Sequence, residues 1–66
     1  MLVSTLMKES GNAAIKADIF EDTLGFTVNY HSGSKMIRST TYQNMTLEDV
    51  EKIAHKWVEN TQVLKG

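Results

Sequence analysis

Residues 25–58, GFTVNYHSGSKMIRSTTYQNMTLEDVEKIAHKWV, decide the fold, because their hydrophobic period changes partway along. Phe26, Val28 and Tyr30 alternate with Thr27, Asn29 and His31, the period of two of a strand with one buried face. Ser32-Gly33-Ser34 turns the chain, and Lys35–Tyr42 reads as the returning strand. From Leu47 the period lengthens. Leu47, Val50, Ile53, Ala54, Trp57 and Val58 recur at spacings of three and four, the stripe of an amphipathic helix. Glu48, Glu51, Lys52, His55, Lys56 and Glu59 fill the other side. Thr46 suits the N-cap, Asp49 stands three residues on, and Met45 is placed to staple onto Val50. Glu48 and Asp49 put negative charge at the positive end of the helix dipole.

Upstream, Ala13, Ile15, Ala17 and Ile19 alternate with Lys16 and Asp18, which is again a half-buried strand. Glu21-Asp22-Thr23-Leu24-Gly25 breaks it, with Gly25 suited to a backbone conformation that a Cβ would obstruct. Leu2–Met7 reads as a first strand, closed by a turn at Ser10-Gly11-Asn12. The expected architecture is one α+β domain over 1–66. An antiparallel meander has strands near 2–7, 13–20, 25–31 and 35–42, and one helix near 47–60 packs on one face. Val63 and Leu64 follow as a short apolar tail.

The pattern also predicts a register. A turn at Gly33-Ser34 pairs Ser32 with Lys35 and sets Tyr30 opposite Ile37, Val28 opposite Ser39 and Phe26 opposite Thr41. A slip of one residue would turn Arg38 toward the core, so the first register is expected. In the preceding hairpin Ile19 is set opposite Phe26, Ala17 opposite Val28 and Ile15 opposite Tyr30. The core would centre on Ile15, Ile19, Phe26, Val28, Tyr30 and Ile37, with Trp57 on the helix stripe.

Composition limits the chemistry. The chain has no cysteine, so disulfides, thiolate metal sites and thiol catalysis are excluded. Seven basic and eight acidic residues give a net charge of -1, which disfavours a nucleic-acid partner held by phosphate contacts. No segment approaches the roughly 20 apolar residues of a membrane span, and the Met1–Met7 run lacks the basic start of a signal peptide. An intracellular, cytoplasmic protein is expected. A 66-residue chain buries a modest core, and self-association is a common way to add to it.

No residue stands in a recognisable catalytic or cofactor context, so the expectation is a non-enzymatic protein without a cofactor. His55, between Glu51 and Glu59, and His31, beside a turn, read as exposed. The acidic residues lack the spacing of a calcium loop, and Ser32-Gly33-Ser34 joins two strands rather than opening a helix as a phosphate loop does. What remains is a surface. In the expected register Phe20, Met36 and Tyr42 lie on the sheet face away from the helix, together with Lys16, Asn29, Arg38 and Thr40. Apolar residues on an open sheet face mark contact surfaces. These seven residues form the candidate interaction face, and the expected partner is a protein, either a second copy in a homodimer or a host protein.

Two resemblances accompany this reading. Lys8–Glu59, KESGNAAIKADIFEDTLGFTVNYHSGSKMIRSTTYQNMTLEDVEKIAHKWVEN, resembles small uncharacterised proteins of marine cyanobacterial phages. The shared pattern is an acidic turn before a Gly-aromatic strand, a glycine hairpin, and a helix that opens Thr46-Leu47-Glu48-Asp49-Val50-Glu51 and ends in a tryptophan. This resemblance implies phage origin and no specific activity; a phage source would fit a regulator or inhibitor of a host protein in an infected bacterial cell. Gly25–Trp57 is also similar to the three-stranded, one-helix DNA-binding module of AP2-type factors and tyrosine recombinases. That similarity rests on the Gly-aromatic strand, the HSGSK turn, the RSTTY strand and the TLEDVEKIAHKW helix. It implies Lys16, Asn29, Arg38 and Thr40 as DNA-contacting residues.

Overall fold

The computed structural model describes residues 1–10 and 13–60, with Ser10 and Ala13 described in backbone only. The expected turn at Gly11-Asn12 and the Val63-Leu64 tail lie outside the described residues. Four strands form one antiparallel sheet in the order β1-β2-β3-β4: β1 Leu2–Ser10, β2 Ala13–Asp22, β3 Gly25–Ser32 and β4 Lys35–Tyr42. One helix, α1, spans Leu47–Asn60. The meander and the C-terminal helix are those read from the pattern. The first three strands run one to three residues beyond their expected ends.

The helix begins where its cap permits. The Asp49 N–H donates to Thr46 Oγ1 (3.1 Å), so the Thr46 side chain satisfies a donor that the first turn cannot pair internally, and the Val50 N–H makes the first helical bond to the Thr46 carbonyl (3.0 Å). Asn44, at φ 61°, reverses the chain between β4 and this cap; asparagine tolerates that left-handed conformation better than most residues. Val50, Ala54 and Val58 are buried one turn apart. They meet Ile15, Ala17, Ile19, Val28 and Tyr30 of the sheet. Val3, Leu6, Phe26, Tyr42, Met45, Leu47 and Trp57 pack around that cluster, half-buried.

Both hairpins depart from the expected register. Between β2 and β3, Ile19 pairs with Val28, Ala17 with Tyr30 and Glu21 with Phe26, two residues away from expectation. The cause is a tighter loop. Asp22 pairs with Gly25, and its Oδ1 accepts from the N–H groups of Leu24 (2.8 Å) and Gly25 (3.1 Å), so only Thr23 and Leu24 lie between the strands. Gly25 sits at φ 140°, and a Cβ there would strike the carbonyl oxygen of Tyr42. A shift of two residues leaves every side chain on its face, so the same residues remain buried.

Between β3 and β4 the correction is larger. Ser32 pairs with Lys35 and His31 with Met36, as expected near the turn. The register then slips, so that Tyr30 pairs with Arg38, Val28 with Thr40 and Phe26 with Tyr42. Ile37 is the extra residue of a β-bulge. It is 49% exposed rather than central to the core. The slip was disfavoured because it directs Arg38 to the helix side. That side is open at β4, because α1 packs against β1, β2 and, less closely, β3. Arg38 therefore stays exposed, with its guanidinium 5.7 Å from the centre of the Tyr30 ring. The same slip brings Tyr42 to Tyr30, hydroxyl to hydroxyl at 3.0 Å.

Candidate functional site

The observed register divides the candidate interaction face. Lys16, Phe20, Asn29 and Met36 lie on the outer face, away from the helix, whereas Arg38, Thr40 and Tyr42 share the helix side with Tyr30, Val28 and Phe26. Met36, Arg38, Thr40 and Tyr42 all belong to β4. Of its eight residues only Thr40 and Tyr42 are half-buried, and the rest are exposed. The seven residues thus describe the two sides of one edge strand and the outer face beside it.

The outer face is built in rows. In the central row Thr5, Asp18, Asn29 and Ser39 stand side by side across all four strands. Thr5 Oγ1 donates to Asp18 Oδ1 (2.9 Å), and Ser39 Oγ donates to Asn29 Oδ1 (2.8 Å). The next row toward the β3–β4 turn is Met7, Lys16, His31 and Met36. Asp18 Oδ2 lies 3.6 Å from Lys16 Nζ and 3.4 Å from His31 Nε2. His31 is half-buried in this cluster, not exposed as its place beside a turn suggested. Met7 and Met36 flank the row, 59% and 52% exposed, and Ile37, the bulge residue next to Met36, is also exposed. In the row on the other side of centre Phe20 lies between Leu2 and Thr27. Lys16 and Asn29 are each engaged by a neighbour on the sheet.

The two sheet edges differ in chemistry. The β1 edge is tied to the helix: Ser4 Oγ donates to Glu51 Oε2 (3.0 Å) and Lys8 Nζ to the Glu59 carbonyl (3.2 Å). An open groove of about 390 Å³, lined by Leu6, Glu48, Glu51, Lys52 and His55, runs between them. The β4 edge has no helix beside it and carries Lys35 and Arg38 with no acidic residue. Arg38 Nε donates to Thr40 Oγ1 at 3.1 Å, and the guanidinium lies over the Tyr30 ring. Among the described residues Arg38 has no carboxylate partner.

Tyr30 anchors this side. Its ring is buried and tilted 49° against Trp57, with centroids 4.5 Å apart. Burial first, then the hydrogen bond to Tyr42, raises the Tyr30 phenol well above its ordinary value. It is a neutral hydrogen-bonding group at any physiological pH. Among the described residues no group of three or more His, Asp or Glu side chains is gathered as a metal site, and no helix is long and apolar enough to cross a membrane.

Two residues of this surface escaped the sequence reading. Asp18 is one polar position among several in β2; its bond from Thr5 depends on the β1–β2 register, which the ambiguous alternation of Leu2–Met7 does not fix, and its nearness to His31 on the β2–β3 register. Ile37 was assigned to the core, and no local signal marks it as a bulge. The chain matches no known family model, no curated protein and no solved structure.

Proposed function

We propose that this protein is a non-enzymatic accessory or regulatory domain, of phage source, that works by binding another protein chain through β4 and the outer face beside it. One observation carries the reading: α1 spans β1, β2 and β3 and leaves β4 bare, with Met36 and Ile37 exposed at its bulge. An uncovered edge strand presents unpaired N–H and C=O groups that a partner strand can use. The bulge and Lys35 are the devices by which natural sheets limit indiscriminate pairing at such an edge. Ser39–Tyr42 beyond the bulge is regular, rich in β-branched residues and suited to pairing.

Duplex DNA binding by the sheet is the alternative. Lys16 and Asn29 do not share a face with Arg38 and Thr40, and Lys16 is already paired with Asp18. A groove-reading sheet needs its contacts on one face. Sedimentation velocity over a concentration series, alone and with duplex DNA at low salt, separates the two readings. The protein-binding reading expects no duplex binding and expects any self-association to weaken in Met36→Ser. Saturable duplex binding that is lost in Arg38→Glu, without self-association, overturns it.

A further inference from the structure

The two edges of the sheet differ in what is already satisfied. On β1 the helix-side polar groups are committed to α1 through Ser4–Glu51 and Lys8–Glu59. On β4 the helix-side row Arg38, Thr40 and Tyr42 is committed only to itself and to Tyr30. Arg38 is the notable member. Its Nε is used by Thr40, its guanidinium carbon lies over the Tyr30 ring, and no carboxylate among the described residues meets its remaining N–H groups. A guanidinium fixed in this way has already lost much of its rotamer freedom, so little more is lost when it engages a carboxylate in a forked pair. Tyr42 lies on the same side of the strand, with its hydroxyl bonded to that of Tyr30. Lys35 adds a second cation at the turn end, and no residue of β4 is acidic.

We infer that β4 is a strand-addition site for an extended acidic segment of a partner protein, in which a Glu or Asp side chain on the helix side is held by Arg38. This rests on the protein-binding reading above and adds to it the backbone conformation of the partner and the charge of its recognised residue. Main-chain pairing along Ser39–Tyr42 supplies affinity, and the alternate side chains supply selectivity. Two neighbours in an added strand point to opposite faces, so only every second residue of the partner meets Arg38 and Tyr42. The residues between them lie on the outer face, beside Ser39 and Thr41. A basic segment would meet Lys35 and Arg38 as like charges and is rejected.

The probe is a synthetic peptide of alternating threonine and glutamate, long enough to pair with all of β4, titrated into isotope-labelled full-length protein and followed by amide NMR shifts. A peptide with glutamine for glutamate is the control. Shifts are expected to concentrate on Met36–Tyr42, with the glutamate peptide binding about tenfold or more tightly than the glutamine peptide. Arg38→Gln is expected to abolish that preference. Arg38→Lys, which keeps the charge without the fork, is expected to retain only part of it. Lys52→Gln, which removes a cation from the β1 side of α1, leaves binding unchanged. Equal binding of the two peptides overturns the role of Arg38. Shifts that fall on Leu2–Ser10 overturn the site and, with it, the assignment of protein binding to β4. Occupation of β4 by a second copy, seen as rising mass and loss of peptide binding with concentration, overturns the acidic occupant and leaves the protein-binding reading standing. Absence of peptide binding together with duplex binding overturns both.

Discussion

Tyr30 does more than any other single residue to join the sheet to the helix. It is buried, stacks on Trp57, hydrogen-bonds Tyr42 and supports Arg38. Its raised phenol pKa has a thermodynamic consequence. The unfolded chain ionises near the ordinary value of 10.0 while the folded chain does not. The stabilisation from keeping Tyr30 neutral is therefore complete below pH 10.0 and is lost as the pH rises above that value. Thermal melts should show a decline in Tm above that pH that is shallower in Tyr30→Phe, and the variant should cost about 1 kcal/mol at neutral pH for the lost hydroxyl pair. An unchanged alkaline profile would remove Tyr30 from this role. Trp57→Ala is expected to cost about 3 kcal/mol, read by denaturant unfolding. A variant that melts like its parent would place Trp57 outside the packed region.

Among the elements, the helix was the most legible, because cap, staple and stripe agree. Thr46, Met45 and the run from Leu47 to Val58 point to one boundary and one buried face. The strands were legible in kind, since alternation in 13–20 and 26–31 survives any shift of two residues. Register was less so. It depends on Asp22 closing a two-residue loop through its bonds to Leu24 and Gly25, where Thr23-Leu24 carries no strong turn signal, and on a bulge at Ile37 that is set by pairing between strands. The argument against turning Arg38 inward assumed that the inner side of β4 is covered. The helix packs on β1, β2 and β3, so that penalty does not arise, and the slip sets Arg38 and Tyr42 beside Tyr30. The candidate face was accordingly half legible: its residues were found, but their sides were not. The tight β2–β3 loop makes its own prediction. Gly25→Ala must hold an alanine at φ 140° against the Tyr42 carbonyl, and is expected to destabilise by about 2 kcal/mol in chemical denaturation. A cost of only a few tenths would mean that the loop opens easily.

At the scale of the whole molecule, one 14-residue helix serves a sheet too wide for it. The core forms where α1 crosses β1 and β2, and β3 completes it through Val28 and Tyr30. β4 is held by backbone pairing to β3 and by a few side-chain contacts, which leaves one flank of the domain open for a partner. That openness is the central claim, and residue-resolved amide hydrogen exchange in dilute protein tests it most directly. The account predicts slow exchange throughout the paired stretches of β2 and β3, and slow exchange only at alternate residues of β4, where N–H groups point to β3 and the others point to solvent. Uniform protection along Lys35–Tyr42, equal to that of β3, would contradict it, because it would mean that the edge is already covered.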